Sequence, residues 1–270
     1  MKDLKIAIIG AGNIGKSIAN GLIETKYIAA KDLYLTRRNE ALLAEFKNKG
    51  VNVGSNNREA VKNSRVIILA VEPQQIDSVL EEIKNDLKTG HHIIISVATA
   101  VSIKQIQKMI DKNVPIIRSM PNTAIAIGES MTCLSSLNGD AGMDVAKDLF
   151  EKLGTTLIIS EDQMTPATAL AACGVAFFLR AIRAASQGGI EIGFHSRDAL
   201  LMAAQTAKGA ASLLLQHSDH PEGEIDKVTT PRGCTIAGLN KMEHAGFSSA
   251  LIQGIVTSAE KAEGLYRKDE

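Results

Sequence analysis

Lys5-Ile6-Ala7-Ile8-Ile9-Gly10-Ala11-Gly12-Asn13-Ile14-Gly15 decides the fold. An unbroken β-branched run ends in a G-x-G-x-x-G spacing that opens directly into helical periodicity. The first glycine permits a tight turn, the second lets backbone amides approach a pyrophosphate, and the third lets helix and strand pack closely. Phosphate then sits at a helix N-terminus, where unpaired N–H groups and the dipole favour negative charge. The second strand should end beside an adenosine ribose, and there the chain reads Thr36-Arg37-Arg38 with no acidic residue. A hydroxyl followed by guanidinium forks suits a ribose 2′-phosphate, so NADPH is the expected dinucleotide and NADH a second choice. Two solvated loop arginines are the plainer alternative.

Downstream, β-branched runs alternate with helical spacing. Lys5–Ile9, Leu33–Thr36, Val66–Val71, His92–Val97, Pro115–Ser119, Met131–Ser135 and Thr156–Ile159 read as strands. Asn13–Ile23, Ala41–Lys49, Ser55–Asn63, Gln74–Asp86, Ser102–Ile110 and Ala141–Leu153 read as helices. This alternation predicts an α/β architecture with a mostly parallel sheet covered on both faces. After Glu161 no strand pattern remains. Thr165-Pro166 predicts a cap and first turn of a long helix toward Gly188, and Ser196 with Asp198 opens another to about Gln216. His217–Asp226 reads as a polar loop, Thr230-Pro231 as the start of a third helix, and Phe247–Tyr266 as the last. The expected organisation is an N-terminal Rossmann dinucleotide-binding domain over residues 1–161 and an all-α substrate and dimerisation domain over residues 162–270.

Composition narrows the class. The 270 residues carry 30 Lys+Arg against 30 Asp+Glu, and this zero net charge argues against nucleic acid as the main partner. Three scattered cysteines without a CxxC argue against a disulfide framework or zinc site and fit a cytoplasmic setting. The N-terminus enters a strand without a leader pattern, and the apolar stretch Ala167–Leu179 is too short to span a bilayer, so no membrane partner is expected. His217 and His220 flank Ser218-Asp219 but lack a third ligand in sequence, so no metal is expected. His91-His92, at a turn, reads as structural or solvated. Tryptophan is absent and aromatics make up 3%. Helices of Ala and Gly approach closely but form a thin core, which favours burial against a second subunit.

Three further segments carry a resemblance: Ala70-Val71-Glu72-Pro73-Gln74, Arg118-Ser119-Met120-Pro121-Asn122-Thr123, and Asp226-Lys227-Val228-Thr229-Thr230-Pro231-Arg232-Gly233-Cys234-Thr235-Ile236-Ala237-Gly238-Leu239. With the phosphate loop they resemble the Δ1-pyrroline-5-carboxylate reductase family over essentially the whole chain. The last segment is similar to that family's Val-Thr-Ser-Pro-Gly-Gly-Thr-Thr-Ile-x-Gly-Leu run. The resemblance implies NAD(P)H-driven reduction of a cyclic imine to L-proline, the last step of proline biosynthesis, by a homodimer or a ring of dimers. It also implies roles by position. Gly10, Ala11, Gly12, Asn13, Ile14 and Gly15 would hold the pyrophosphate, Arg37 and Arg38 the ribose phosphate, and Asn57 would lie near the adenosine. Ala70, Val71, Glu72, Pro73 and Ala98 would line the nicotinamide side, with Asn122 near its carboxamide. Glu161 would lie near the substrate cleft, and Thr230, Arg232, Gly233, Cys234 and Thr235 would form the substrate loop. In that family Glu72 is usually Lys, Arg232 is Gly, Cys234 is Thr and Ala124 is Pro; Ala172–Phe177 matches only loosely.

The chemistry agrees with that loop. A helix starting at Thr230-Pro231 would aim the amides of Arg232–Thr235 at a substrate carboxylate, with the Arg232 guanidinium turned either inward or to solvent. Cys234 has no neighbouring base and reads as a packing residue. Thr235 is the catalytic candidate, as a hydrogen-bonding hydroxyl near the imine nitrogen, because an unactivated threonine is a poor acid. Two other readings stay open. One is a reductase of the same build acting on another imine or a 3-hydroxy acid, for which Lys208 is the lone candidate lysine in an early helix. The other is a non-catalytic NADPH-binding protein, which would not need the Thr230–Leu239 segment.

Overall fold

The computed structural model describes residues 4–137, 142–217 and 219–263. Eight strands form one sheet in the order β3-β2-β1-β4-β5-β6-β7-β8: β1 Ile6–Ile9, β2 Leu33–Thr36, β3 Asn52–Gly54, β4 Val66–Leu69, β5 Ile93–Ser96, β6 Ile116–Met120, β7 Ser130–Ser135 and β8 Gly154–Ile158. Every neighbouring pair is parallel except β6 with β7. Between the strands run α1 Asn13–Glu24, α2 Ala44–Asn48, α3 Asn57–Lys62, α4 Ile76–Ile83, α5 Ile103–Ile110 and α6 Met143–Glu151.

Period-two side-chain alternation explains why the strands lack a polar face. Ile6 and Ile8 enter one core with Ile18 and Leu22 of α1 and with Leu149 and Phe150 of α6. Ala7 and Ile9 enter the opposite core with Ile76, Leu80 and Ile83 of α4 and with Ile103 and Ile106 of α5. β4 divides the same way, Val66 and Ile68 against Ile67 and Leu69. A strand buried on both faces must be apolar throughout, and each fully buried Ile or Leu contributes about 2 kcal/mol.

Helices make up the rest: α7 Met164–Ala167, a π segment Thr168–Cys173, α8 Gly174–Glu191, α9 Ser196–His217, α10 Pro221–Lys227, α11 Cys234–His244 and α12 Phe247–Glu263. The chain divides into two compact units, one reaching Cys173 and taking in the stretch from Ser258, the other Gly174–Thr257. In the second unit α8 packs on α9, and Gly189 lets them approach closely, since a Cβ there would sit 3.0 Å from that of Ala199.

Several boundaries differ from those the sequence suggests. β3 is an additional edge strand of three residues, pairing Tyr34–Thr36 with Asn52–Gly54; its Asn and Gly carry no strand pattern. The first long helix starts before Thr165-Pro166, because Ser160 and Gln163 form a capping box that begins the helical run at Glu161. That run reaches Glu191, 31 residues, and by length and composition it is long and apolar enough to cross a membrane, unlike the Ala167–Leu179 stretch alone. The expected polar loop His217–Asp226 contains α10, because Pro221 occupies its first turn and His220 Nδ1 accepts from the Glu222 amide. Thr230-Pro231 does not start a helix: the chain turns there, and α11 begins at Cys234 after an N-cap at Gly233. The expected helix start at Ala141 and helix end at Tyr266 lie outside the described residues.

His92, just before β5, is 2% exposed. Its Nδ1 accepts from the Lys88 amide (2.8 Å), so Nε2 carries the hydrogen donated to the Val61 carbonyl (3.2 Å). Burial pushes this imidazole below its usual value of 6.5. The unfolded chain therefore takes up a proton near pH 6.5 that the folded chain refuses until lower pH. The stability this provides is present above that pH and lost as pH falls below it. In urea denaturation from about pH 7.5 to about pH 5.5, the wild type should lose stability more steeply than His92→Gln. Parallel slopes would contradict the buried neutral imidazole.

Candidate active site

The phosphate loop bridges the C-terminal ends of three adjacent strands. Gly10 and Ala11 donate their amides to the Thr36 carbonyl at the end of β2 (3.2 and 2.9 Å). Gly10 has φ +99°, and a Cβ there would lie 2.5 Å from the Ala70 carbonyl oxygen just past β4. At Gly15 a Cβ would strike the Gly10 carbonyl oxygen, so the third glycine lets α1 start close against the loop. At Gly12 a Cβ would meet nothing within 4 Å. The space over Gly12 is therefore open, and α1 begins at Asn13 with no side-chain cap and no acidic residue in its first turn. Open room over backbone amides at a helix N-terminus fits a pyrophosphate.

A cleft of about 400 Å³ extends from this loop. Gly10, Ala11, Gly12, Thr36, Arg37, Arg38, Asn57, Ala70, Val71 and Glu72, all anticipated from sequence, line it together. Arg37 is half-buried, and its Nη1 donates to the Ala11 carbonyl at 2.8 Å, anchoring the guanidinium on the phosphate loop. Arg38 is exposed. Thr36 donates its hydroxyl hydrogen to Asn57 Oδ1 (2.7 Å), and Asn57 Nδ2 donates to Glu82 Oε2 (2.8 Å). Ile9, Asn39, Ser55, Gln75 and Val79 complete the lining. Gln75 and Val79 lie one helical turn apart beside Glu72, a spacing visible in sequence once the cleft is located.

Other anticipated residues are placed elsewhere. Asn13, Ile14 and Gly15 build the first turn of α1 behind the loop, and Pro73 opens the short 3₁₀ turn after β4. Ala98 is buried in the core beneath α4 and α5. Asn122 is 8% exposed; its Oδ1 accepts from the Ala124 amide (3.0 Å) and its Nδ2 donates to the Ala171 carbonyl (3.0 Å). Its amide thus holds protein backbone at both ends.

Glu161 belongs to the same compact unit as the cleft. Its Oε1 accepts from the Ile103 amide at the start of α5 (2.6 Å) and from Arg118 Nη1 (3.4 Å). The Arg118 side chain, on β6, is 8% exposed. Burial pulls its guanidinium below the ordinary value and the Glu161 carboxylate opposes that pull. Nothing in the sequence pattern marks Arg118 as buried, because a basic residue in a strand usually faces solvent.

Thr230–Thr235 belongs to the other unit. Gly233 donates its amide to the Thr230 carbonyl (2.9 Å), closing a turn with Pro231 second and Arg232 third at φ +61°. That third position normally selects glycine. A Cβ at Gly233 would lie 2.5 Å from the Thr230 hydroxyl, so this position excludes a side chain. Cys234 and Thr235 then open α11, whose N-cap provides no side-chain hydrogen bond. The amides facing outward are therefore those of the first residues of α11, not those of Arg232–Thr235 as a set. In the same unit His217, Asp219 and Glu224 bring their ligand atoms within 4.8 Å of one another. Lys227 Nζ already binds both carboxylates, at 2.9 Å from Asp219 and 2.7 Å from Glu224, and holds the Asp219 carboxyl below its usual range.

A glycine-rich loop on a doubly wound sheet, followed by a helical unit, defines the class of Rossmann-type dinucleotide-binding folds with a helical second unit. Residues 5–100 match the family of F420-dependent NADP oxidoreductases, and residues 161–265 match the pyrroline-5-carboxylate reductase dimerisation family. Pyrroline-5-carboxylate reductase 1 of Dictyostelium discoideum is 51% identical over 99% of the chain, which spans about half (51%) of that relative's length. Pyrroline-5-carboxylate reductase 2 of the same organism is 46% identical over 96% of the chain and 94% of its own length. The crystal structure of Plasmodium falciparum pyrroline carboxylate reductase with NADP bound superposes with TM-score 0.88 at 25% identity, covering 98% of this chain and 99% of that one. The chain belongs to the pyrroline-5-carboxylate reductase family.

The pairing of Glu161 with a buried guanidinium gives a stability test. Glu161→Ala leaves Arg118 without its carboxylate and the Ile103 amide without its acceptor, and should cost about 3 kcal/mol in chemical denaturation. Glu161→Gln keeps an acceptor for the amide and should cost less. A loss below about 0.5 kcal/mol for the alanine variant would show that the pair carries no weight.

Proposed function

We propose that the chain reduces Δ1-pyrroline-5-carboxylate to L-proline by hydride transfer from NAD(P)H, the last step of proline biosynthesis, with NADPH preferred and NADH a second donor. The observation that carries the dinucleotide half is the open space over Gly12 at the mouth of a cleft that Arg37 and Arg38 flank. The names of the relatives, which match along nearly the whole chain, support the substrate half.

When bound, the nicotinamide supplies the hydride that adds to the carbon of the C=N bond, while the nitrogen takes up a proton. The chain's own part is positional. The first-turn amides of α11 offer an anion site for the substrate carboxylate. The Thr235 hydroxyl, second residue of that helix, orients the imine nitrogen by a hydrogen bond. Water or an already protonated imine supplies the proton. Holding donor and acceptor in register accounts for much of the acceleration.

Self-association belongs to the same reading. In the second unit Phe178, Leu179, Ile192, Leu201 and Leu215 are 59–82% exposed. Exposed large apolar side chains at this density mark a surface that is covered in use. A second copy of the chain fits it, since residues 161–265 match a dimerisation family. We assign the second unit's part of the apolar run, Gly174–Glu191, to that interface and not to a membrane, and extend the assembly to a ring of dimers. The free cysteines Cys133, Cys173 and Cys234 support a cytoplasmic setting.

Spectrophotometric oxidation of NADPH and of NADH with Δ1-pyrroline-5-carboxylate tests the reaction. The wild type should turn over with both and faster with NADPH, and Thr235→Ala should lower kcat/KM roughly 10- to 100-fold while NADPH affinity stays unchanged. Protein that binds NADPH but does not oxidise it with this imine would move the assignment to another substrate. Sedimentation at micromolar concentration should show a dimer or a multiple of it; a monomer would refute the interface.

A further inference from the structure

Glu72 lines the same cleft as Arg37 and Arg38 but carries the opposite charge. It follows Val71 at the end of β4, in extended backbone (φ −62°, ψ 148°) just before Pro73. Among the described residues its carboxylate has no hydrogen-bond or ion-pair partner. Glu72 shares this cleft with Arg38, Ser55 and Asn57, the residues expected at the adenosine end, and not only with the nicotinamide side that the resemblance implies, so the two walls present different chemistry to that end of a nucleotide. Arginines only donate, and they attract a 2′-phosphate dianion. A carboxylate only accepts, so it repels that phosphate and takes a hydrogen from a 2′-hydroxyl.

An independent observation points the same way. The Thr36 hydroxyl hydrogen goes to Asn57 Oδ1, and Glu82 holds the Asn57 nitrogen on the other side. Thr36 thus offers a ligand lone pairs, which suit a hydroxyl donor better than a phosphate oxygen. Arg37, meanwhile, has Nη1 tied to the Ala11 carbonyl.

We infer that Glu72 is a specificity-determining residue, whose carboxylate accepts the ribose 2′-hydroxyl of NADH and opposes the 2′-phosphate of NADPH, so that it narrows the discrimination the arginines create. This rests on reading the cleft as the NAD(P)H site.

The test compares wild type, Glu72→Gln and Glu81→Gln. Glu81 sits on α4 outside the cleft, paired with Lys84. Calorimetric titration with NADP⁺ and NAD⁺ reads binding without turnover, and kcat/KM for NADPH and NADH reads the working ratio. Glu72→Gln should raise the NADPH-to-NADH ratio about tenfold, mainly through KM. The gain should shrink in about 0.5 M salt, where charges are screened. Glu81→Gln should keep the wild-type ratio, and retained NAD⁺ binding by Glu72→Gln shows that it folds. If Glu72→Gln binds both nucleotides in the wild-type ratio, the role of Glu72 is wrong and the cleft reading stands. If the wild type binds neither nucleotide, both fall.

Discussion

Backbone proximity at Gly10 organises the nucleotide-binding unit. The sheet order β2-β1-β4 places β1 between two strands that the chain reaches by winding in opposite directions. A crevice opens at such a reversal, at the carboxyl ends of the strands. Gly10 and Ala11 close on Thr36 from β2, while the empty side of Gly10 lets Ala70 from β4 approach. The approach of Ala70 excludes a side chain at residue 10, and the φ of +99° there favours glycine. Because both contacts hold, the residues that follow β2 and β4 come to face one cleft: Arg37 and Arg38 from one strand, Val71 and Glu72 from the other. The charge pattern of the cleft is thus a consequence of a turn that only glycine can make.

The central strands were legible because they are buried on both faces. Ile6–Ile9 and Val66–Leu69 divide their side chains between two cores, so their composition is continuous and needs no knowledge of the turns to be recognised. Where side chains answer to local hydrogen bonding, the pattern was ambiguous. Thr165-Pro166 read as the helix start, but the capping box of Ser160 with Gln163 begins the helical run earlier, at Glu161. β3 is held by backbone pairing with β2 and leaves almost no side-chain trace. Arg232 occupies a left-handed position that composition would have given to glycine, so Thr230-Pro231 read as a helix start when it is a turn.

The site was legible to the same degree and for a related reason. Gly12 and Arg37, picked out by the motif, and Asn57, assigned through resemblance, line one cleft together. Ala98, Asn122 and Glu161 were assigned through resemblance. In this chain the Asn122 side chain caps a 3₁₀ turn and Glu161 fixes the start of α5 to Arg118. A resemblance fixes order along the chain; it does not reveal which neighbouring donor a side chain will satisfy first. Burial makes that choice strict, since Arg118 cannot remain without its carboxylate at little cost.

The helical unit has the opposite character. Its described residues carry few fully buried large side chains, while Leu201, Ile192 and Leu215 stay open to solvent. Ala and Gly on α8 and α9 allow close helix contact, as at Gly189 and Ala199, but close contact between small residues removes little apolar area from water. Larger side chains on the remaining faces must find cover elsewhere. Small residues for packing within one copy and large ones directed outward are what an obligate subunit interface requires, because such interfaces resemble a domain core divided between two chains. The exposed leucines of this unit and the match of residues 161–265 to a dimerisation family are both accounted for by the self-association proposed above.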